Sequence, residues 1–489
     1  MKKFIVLLAV LILNVFLGFS QEKFFKIYTN DGYDYGEGVV QLSDSSYLVT
    51  GSSSSFNDSP AQAFLLKLDK NGEYVWSRNY GGTESDWGRR VLNWNDSIFY
   101  VTGYSNSLGT GSYNAYLVKT DKDGNELVQK HYIQSGWDKI NDALFTADSM
   151  IYMVGETAGT TNGDNNYYII KTDHNGDTLW TRNFGSAGED ALQSIQQYDA
   201  TTFFAVGNHF NADSTFSKGA IIKFDANGNI LFDKEFGPNG NYYLNDFFIR
   251  AGFVHAIGQR ILPITNEIDE YRVKVTLAGN LQWEASDNSQ GASYYDHVMP
   301  FGTGGKVFVS SHFNTPFSVA GSYDASITRF YDNLIWDAAF VSVGFPGDDN
   351  NQEVALTNDE SVVVVGFMTM PGMGGSSVFV YKVGPNADFP LINYSDITAN
   401  DIHGLVTINE VESEIKGLRV YPNPTASLIN FQTIAPLTMQ VVDINGRLIE
   451  NYSIENGSTL DTTHWLKGLY YLSLSDEEGH SKHIKLIVQ

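Results

Sequence analysis

Short apolar runs alternate with polar turns along most of the chain, and the alternation is periodic. The first full unit contains four runs of strand length: Gly38 to Leu42, Tyr47 to Gly51, Ala63 to Leu68 and Tyr74 to Tyr80. Beta-branched and aromatic residues fill them, as a pleated, half-buried surface requires. We name these strands a, b, c and d. The c–d connection is the clearest signal. Lys67-Leu68-Asp69-Lys70-Asn71-Gly72 leads to Trp76, and the pattern returns every 52 residues at Lys119-x-Asp121-x-x-Gly124, Lys171-x-Asp173-x-x-Gly176 and Lys223-x-Asp225-x-x-Gly228. Weaker copies begin at Lys274, Arg329 and Lys382. In the turn, Asp at 69, 121 and 173 binds its own backbone, and Gly supplies a positive φ.

Four antiparallel strands repeated about seven times predict a β-propeller. Strand b recurs with a glycine at Gly51, Gly103, Gly155, Gly207, Gly258 and Gly366, with Ser310-Ser311 in the sixth unit. No strand d follows Lys382. The missing one stands at the other end: Phe24 to Tyr28 lies 52 residues before Trp76 to Tyr80 and matches it, Phe24 on Trp76 and Tyr28 on Tyr80. Seven blades are therefore expected, the N-terminal strand pairing with 378–383 to close the last. The units resemble the bacterial propeller repeats called SBBP, through Gly81-Gly82, Asp86, Val101-Thr102-Gly103 and Lys67 to Trp76. The resemblance covers roughly residues 23 to 383 and implies a fold, not a reaction.

Both ends of the chain read differently. Lys2 and Lys3, the apolar stretch Phe4 to Leu17 and the small residues before Gln21 form a secretory signal over residues 1–20. The propeller is assigned to 21–383 and a polar linker to 384–417. From 418 to 489, short strands at 418–421, 427–431, 437–443, 447–453, 468–474 and 482–488 predict a small Ig-like β-sandwich. This stretch resembles the type IX secretion sorting domain of Bacteroidetes, in its type A form. Tyr421-Pro422-Asn423-Pro424, Asp443 to Gly446, Gly468-Leu469-Tyr470 and Lys485 carry the likeness. The resemblance implies a secreted or outer-membrane-surface protein that uses the type IX machinery as a partner. It also implies removal of the domain after export, so that the mature chain runs from Gln21 to a point within 384–417.

Composition narrows the function. A formal charge of −25 disfavours nucleic acid as a partner. Without cysteine there is no disulfide or thiolate chemistry. No transmembrane segment is expected in the mature protein. His-Glu-x-x-His, Gly-x-Ser-x-Gly and P-loop patterns do not occur.

Candidate ligand-binding residues come from a series of acids ahead of strand a: Asp34, Asp86, Asp138, Asp190 and Asp349, each 17 residues before the strand-b glycine, with Asp296 in a similar place. At a channel mouth they would hold a cation or an amine; alternatively each caps exposed amides at a blade junction. The Lys67, Lys119, Lys171, Lys223, Lys274 and Lys382 series, and the Phe24, Trp76, Trp180, Phe232, Trp283 and Trp336 series, read as structural. No cofactor or metal is assigned. Calcium is compatible with the acids but not indicated, since Asp121 to Asn125 is explained as a hairpin turn. Long b–c and d–a loops share one face, where binding is expected. The leading reading is a non-catalytic binding or adhesion module for glycan or protein. The alternative is a secreted hydrolase or lyase acting on polysaccharide or peptide. A quinoprotein-like dehydrogenase is disfavoured, because the Asp-to-Trp spacing is one residue short.

Overall fold

A computed structural model describes residues 23–488, except 30–31, 56–59, 108–111, 135, 159–163, 187, 211–215, 239, 287–291, 302–305, 315–323, 332–335, 344–347, 370–374, 386–398, 402–417, 422–426, 444–447, 466 and 477–480. The leader at 1–20 thus lies outside the described residues. Among those described, every regular element is a strand.

Six four-stranded antiparallel units follow one another in sequence order, each running a-b-c-d, and a seventh sheet supplies strands a, b and c before it is completed from elsewhere in the chain. Blade 1 is Asp34–Gln41, Tyr47–Ser53, Gln62–Leu68 and Tyr74–Tyr80. The innermost strands of the next blades are Asp86–Asn93, Asp138–Phe145, Ala191–Asp199, Asn241–Arg250, Ala292–Phe301 and Asp349–Leu356. Each touches its counterpart in the neighbouring blade, and strand a of blade 7 returns to that of blade 1, which closes the ring.

The closing strand is the expected one. Phe25–Thr29 pairs antiparallel with strand c of blade 7, with Phe25 opposite Tyr381 and Tyr28 opposite Val378. Ile27 and Tyr28 are fully buried and Phe24 nearly so. An edge strand with exposed backbone groups would otherwise remain. One finding was not expected: Ala399–Asp401, inside the stretch assigned to the linker, adds a parallel strand to the outer edge of Phe25–Thr29. Three residues are too few for a periodic pattern to show.

Strand a begins four residues earlier than the apolar pattern suggested, at Asp34 rather than Gly38. A β-bulge is the reason. In all seven blades the a–b register slips by one residue, between Gly36 and Gly38 in blade 1 and at the equivalent place in the others. The extra residue breaks the period-two alternation and re-aims its side chain. The bulge also explains the strand-b glycines. A Cβ on Gly51 would lie 1.8 Å from the Tyr35 carbonyl oxygen, and one on Gly103 1.9 Å from that of Trp87. Blade 6 has Ser311 at this place, its hydroxyl 2.7 Å from that of Ser326.

The aromatic series packs between blades, and the lysines pair near the blade ends, within a blade or across to the next. The Phe24 ring would lie 2.6 Å from a Cβ on Gly72, and the Trp76 ring 2.7 Å from one on Gly124, so each aromatic packs on the next blade's c–d turn. Lys119 Nζ donates to Asn175 at 2.9 Å in the following blade's turn, and Lys382 pairs with Asp359 at 2.7 Å. In the turns, Asp69, Asp121, Asp173 and Asp225 each accept two backbone N–H groups, and the glycines sit at φ near +78°.

The C-terminal unit has two sheets, 419–421/428–432/459–461 and 437–443/448–454/468–475/481–488. Ile429, Phe431, Met439, Val441, Leu472, Leu474 and Leu486 fill its core. The short strand Thr459–Asp461 is an addition to the expected set. Tyr421 ends the first strand, Gly468 opens another, the buried Tyr470 ring lies tilted against Trp465 with centroids 4.7 Å apart, and Lys485 pairs with Tyr471. Pro422, Asn423, Pro424 and Gly446 lie outside the described residues.

Candidate functional site: the mouth of the axial channel

The seven bulges point one polar side chain per blade at the propeller axis. They are Glu37 and Arg89 in the first two blades, Asn141, Gln193 and Asn245 in the next three, then Asp296 and Gln352. All seven line one cavity of about 450 Å³, within the range of small-molecule sites, roughly 300–1,000 Å³. Asn208 and Gln259 from strand b, Ile268 from strand c, and Tyr243 and Tyr294 two residues ahead of their bulges complete the wall. These positions lie near the d–a and b–c connections, so the cavity opens on the long-loop face. The middles of six b–c loops lie outside the described residues; Gln259–Glu270 is described throughout.

Charge in the ring is paired. Arg89 donates to Glu37 at 2.5 Å. Burial raises the Glu37 carboxyl above the ordinary carboxylate range, although Arg89 pulls the other way. Glu37 in turn raises Arg89.

One residue further along strand a lies a second layer that forms the floor. Arg90 Nε donates to Asp142 at 2.6 Å, and its Nη1 pairs with Glu353. One guanidinium from blade 2 therefore ties blade 3 to blade 7. Asp142 also accepts from the Ala143 and Ile195 amides, at 2.7 and 2.9 Å. Glu353 accepts from Val39 of blade 1 at 2.8 Å. Blade 1 has Gly38 in this layer, where a Cβ would lie 3.2 Å from the Glu353 carboxylate and 3.0 Å from the Arg89 carbonyl. On the opposite side Asp246 accepts from Ser194, Phe247 and Val298 at 2.7, 2.8 and 2.9 Å, with His297 Nδ1 at 3.5 Å. Burial alone would lower His297, but the Asp246 hydrogen bond and charge more than offset it and the net shift is upward. Burial would likewise raise Asp246, yet His297, the Val298 amide and the Ser194 hydroxyl hold it below its usual value. The floor is satisfied by its own partners, as buried charges must be.

The acid series divides. Asp34, Asp86, Asp138 and Asp349 open their strands and Asp190 immediately precedes its own, but all five are fully buried and do not line the cavity. Asp86 accepts from the Gly82 amide at 2.9 Å and the Ser107 hydroxyl at 2.7 Å; Asp138 accepts from Gln134 N–H at 2.8 Å and from Thr157. Asp190 accepts from Phe210 N–H at 2.8 Å, and Asp34 from Ser53 and Ser55. The carboxylates of Asp86, Asp138 and Asp190 thus tie the incoming loop to the end of their own strand b. Burial raises Asp138 and Asp190. This placement corrects the channel-mouth assignment for the five. Asp296 is a different case: it is the bulged residue, three positions beyond the place of Asp34, and it does line the cavity.

Sequence reasoning missed Glu37, Arg89, Arg90, Asp142 and Glu353. A signal existed, because Glu37/Arg89 and Arg90/Asp142 are opposite charges exactly one repeat of 52 apart. Among the described residues no group of three or more His, Cys, Asp or Glu is placed to hold a metal ion. No helix there is long and apolar enough to cross a membrane.

Comparison with solved structures returns chains of low identity. The β-propeller domain of the Trilobed protease from Pyrococcus furiosus, described as having an open velcro topology, aligns at 9% identity and a TM-score of 0.43, covering 75% of this chain and 98% of that one. The acylaminoacyl peptidase of Pyrococcus horikoshii aligns at 10% and 0.42, over 84% of this chain and 57% of the peptidase. The apocarotenoid oxygenase of Synechocystis aligns at 10% and 0.37, over 76% and 95%. No curated protein matches the sequence. Residues 419–489 match the secretion system C-terminal sorting domain. The chain is thus a seven-bladed β-propeller carrying a type IX secretion sorting domain, the address of a protein exported to the cell surface or beyond.

Proposed function

We propose that the exported propeller is a non-catalytic binding module and that it holds a glycan at the mouth of its axial channel. The observation that carries this reading is the ring of bulged side chains, which gathers seven hydrogen-bonding groups from seven blades around one cavity of about 450 Å³. Amides at Asn141, Gln193, Asn245 and Gln352 both donate and accept, the combination that sugar hydroxyls need. Tyr243 and Tyr294 add apolar faces with polar tips. Glu37 and Arg89 are occupied with each other, which leaves Asp296 and the neutral polar groups to meet a ligand. A rigid scaffold brings them together without ordering cost at binding.

A second reading, a secreted hydrolase or lyase, draws support from one observation. Glu37, raised by burial, shares the cavity with Asp296, so two carboxyl groups in unlike surroundings stand in one site. Against it, Glu37 is held by Arg89 at 2.5 Å. A glycan panel tests both. The secreted protein should retain particular glycans and release them uncleaved, and Gln193→Trp, which fills the cavity, should abolish retention. Glycan shortened by the parent but not by Glu37→Gln would establish the enzyme instead.

A further inference from the structure

The corner of the cavity between blades 5 and 6 is built differently from the rest. Tyr243 and Tyr294 occupy equivalent places on adjacent innermost strands, each two residues ahead of its bulge, and both line the cavity. The bulged residues behind them are Asn245 and Asp296. Asn245 gives one amide hydrogen to the Tyr295 carbonyl at 2.8 Å, which fixes the amide and keeps its own carbonyl oxygen as an acceptor to offer a ligand beside the second N–H. Asp296 lies 3.0 Å from His312 Nδ1 of the adjoining strand. Glu37 and Asp142 are each matched by an arginine, but no Lys or Arg pairs with Asp296 among the described residues. His297, the other basic group here, is turned to Asp246. This corner therefore combines two aromatic rings, a carboxylate and a carbonyl acceptor.

We propose that it receives a protonated primary amine and that the ligand is an amino sugar with a free ammonium group. The assignment rests on reading the channel mouth as a glycan site. An ammonium has three N–H donors and no acceptor. Here it meets the Asp296 carboxylate and the Asn245 carbonyl, with the faces of Tyr243 and Tyr294 for cation–π contact. The neighbouring amides of Gln193 and Gln352 remain for ring hydroxyls. A sulfated or uronic sugar meets the opposite field at Asp296, and both arginines of the site are already paired with carboxylates. Acetylation of the amine removes its charge and leaves one N–H, so the acetylated sugar should bind less well.

The test is calorimetric titration of the secreted protein with a glucosamine trisaccharide and with its fully N-acetylated counterpart. The free amine should bind about tenfold more tightly or better. Asp296→Asn should erase that preference while the melting temperature is kept. Equal affinity for the two sugars, no binding of the free amine, or a preference that survives in a folded Asp296→Asn variant overturns the proposal. The sugar pair decides the matter on the unaltered protein even if Asp296→Asn does not fold. The two levels separate through Gln193→Trp. If the acetylated sugar binds as well as the free amine and Gln193→Trp abolishes both, the channel-mouth site stands and the amine assignment falls. If Gln193→Trp leaves binding intact, the site itself is wrong.

Discussion

The hydroxyl of Tyr28 donates to the carbonyl oxygen of Gly72, and this contact joins the last strand of the ring to the first blade's outer turn. Tyr80 makes the same bond to Gly124 at 2.7 Å, and Tyr132 to Gly176 at 2.9 Å. The bond therefore belongs to the repeat, and the N-terminal strand takes part as a full member. Phe184 and Phe236 stand at the corresponding places in the next blades and have no hydroxyl.

Tyr28→Phe should cost about 0.5–1.5 kcal/mol, since it removes one buried hydrogen bond and leaves the packing in place. Deleting residues 21–29 should do far more. It exposes the blade 7 edge, uncovers Val378 and Tyr381, and removes buried Ile27 and Tyr28. The truncated protein should melt at lower temperature and associate in light scattering, with no disulfide to hold the ring.

Gly155→Ala should be severely destabilising, by about 3 kcal/mol, because the new Cβ would lie 2.0 Å from the Lys139 carbonyl oxygen. The atom it meets is backbone and cannot swing away. Chemical denaturation of the variant measures the loss; a change below about 0.5 kcal/mol would mean that the bulge is not rigid.

Arg90→Met removes the one cation between Asp142 and Glu353, and an uncompensated buried carboxylate costs about 3–5 kcal/mol. Burial already raises Glu353 against the pull of Arg90. Without the arginine that acid should protonate more readily. The deficit relative to the parent should therefore shrink as the buffer is made acidic.

His297→Gln keeps a donor toward Asp246 but cannot carry charge. The raised value of His297 means that its contribution is fully present below the ordinary histidine range and is lost as pH rises through the shifted value. Asp246 is lowered, so its share is present above the ordinary carboxylate range and is lost as pH falls through its depressed value. The gap in melting temperature between parent and variant should be widest in mildly acidic buffer and narrow toward alkaline pH. A gap independent of pH would show that His297 is neutral in the folded protein.

Much of the fold was legible because one period of 52 residues runs through four blades, and a repeat reveals what any single strand would hide. The match of Phe24 and Tyr28 to Trp76 and Tyr80 predicted ring closure across some 350 residues, and the pairing of Phe25 with Tyr381 bears it out. The site was less legible. A carboxylate such as Asp86 at the start of a strand looks the same whether it faces a channel or accepts from Gly82 and Ser107. The bulge that turns Glu37 and Arg89 to the axis leaves only an indirect trace, the glycine opposite it in strand b, and at Asp296 even that is replaced by Ser311. The floor draws Arg90, Asp142 and Glu353 from blades 2, 3 and 7, and only the first two are linked by the repeat spacing.

The claim that the channel mouth is a binding site is tested most directly by glycan-array binding of the secreted protein beside its Gln193→Trp variant. The account predicts that the parent retains a defined set of glycans, uncleaved, and that the variant retains none while melting at the same temperature. Undiminished binding by a folded Gln193→Trp protein would contradict it.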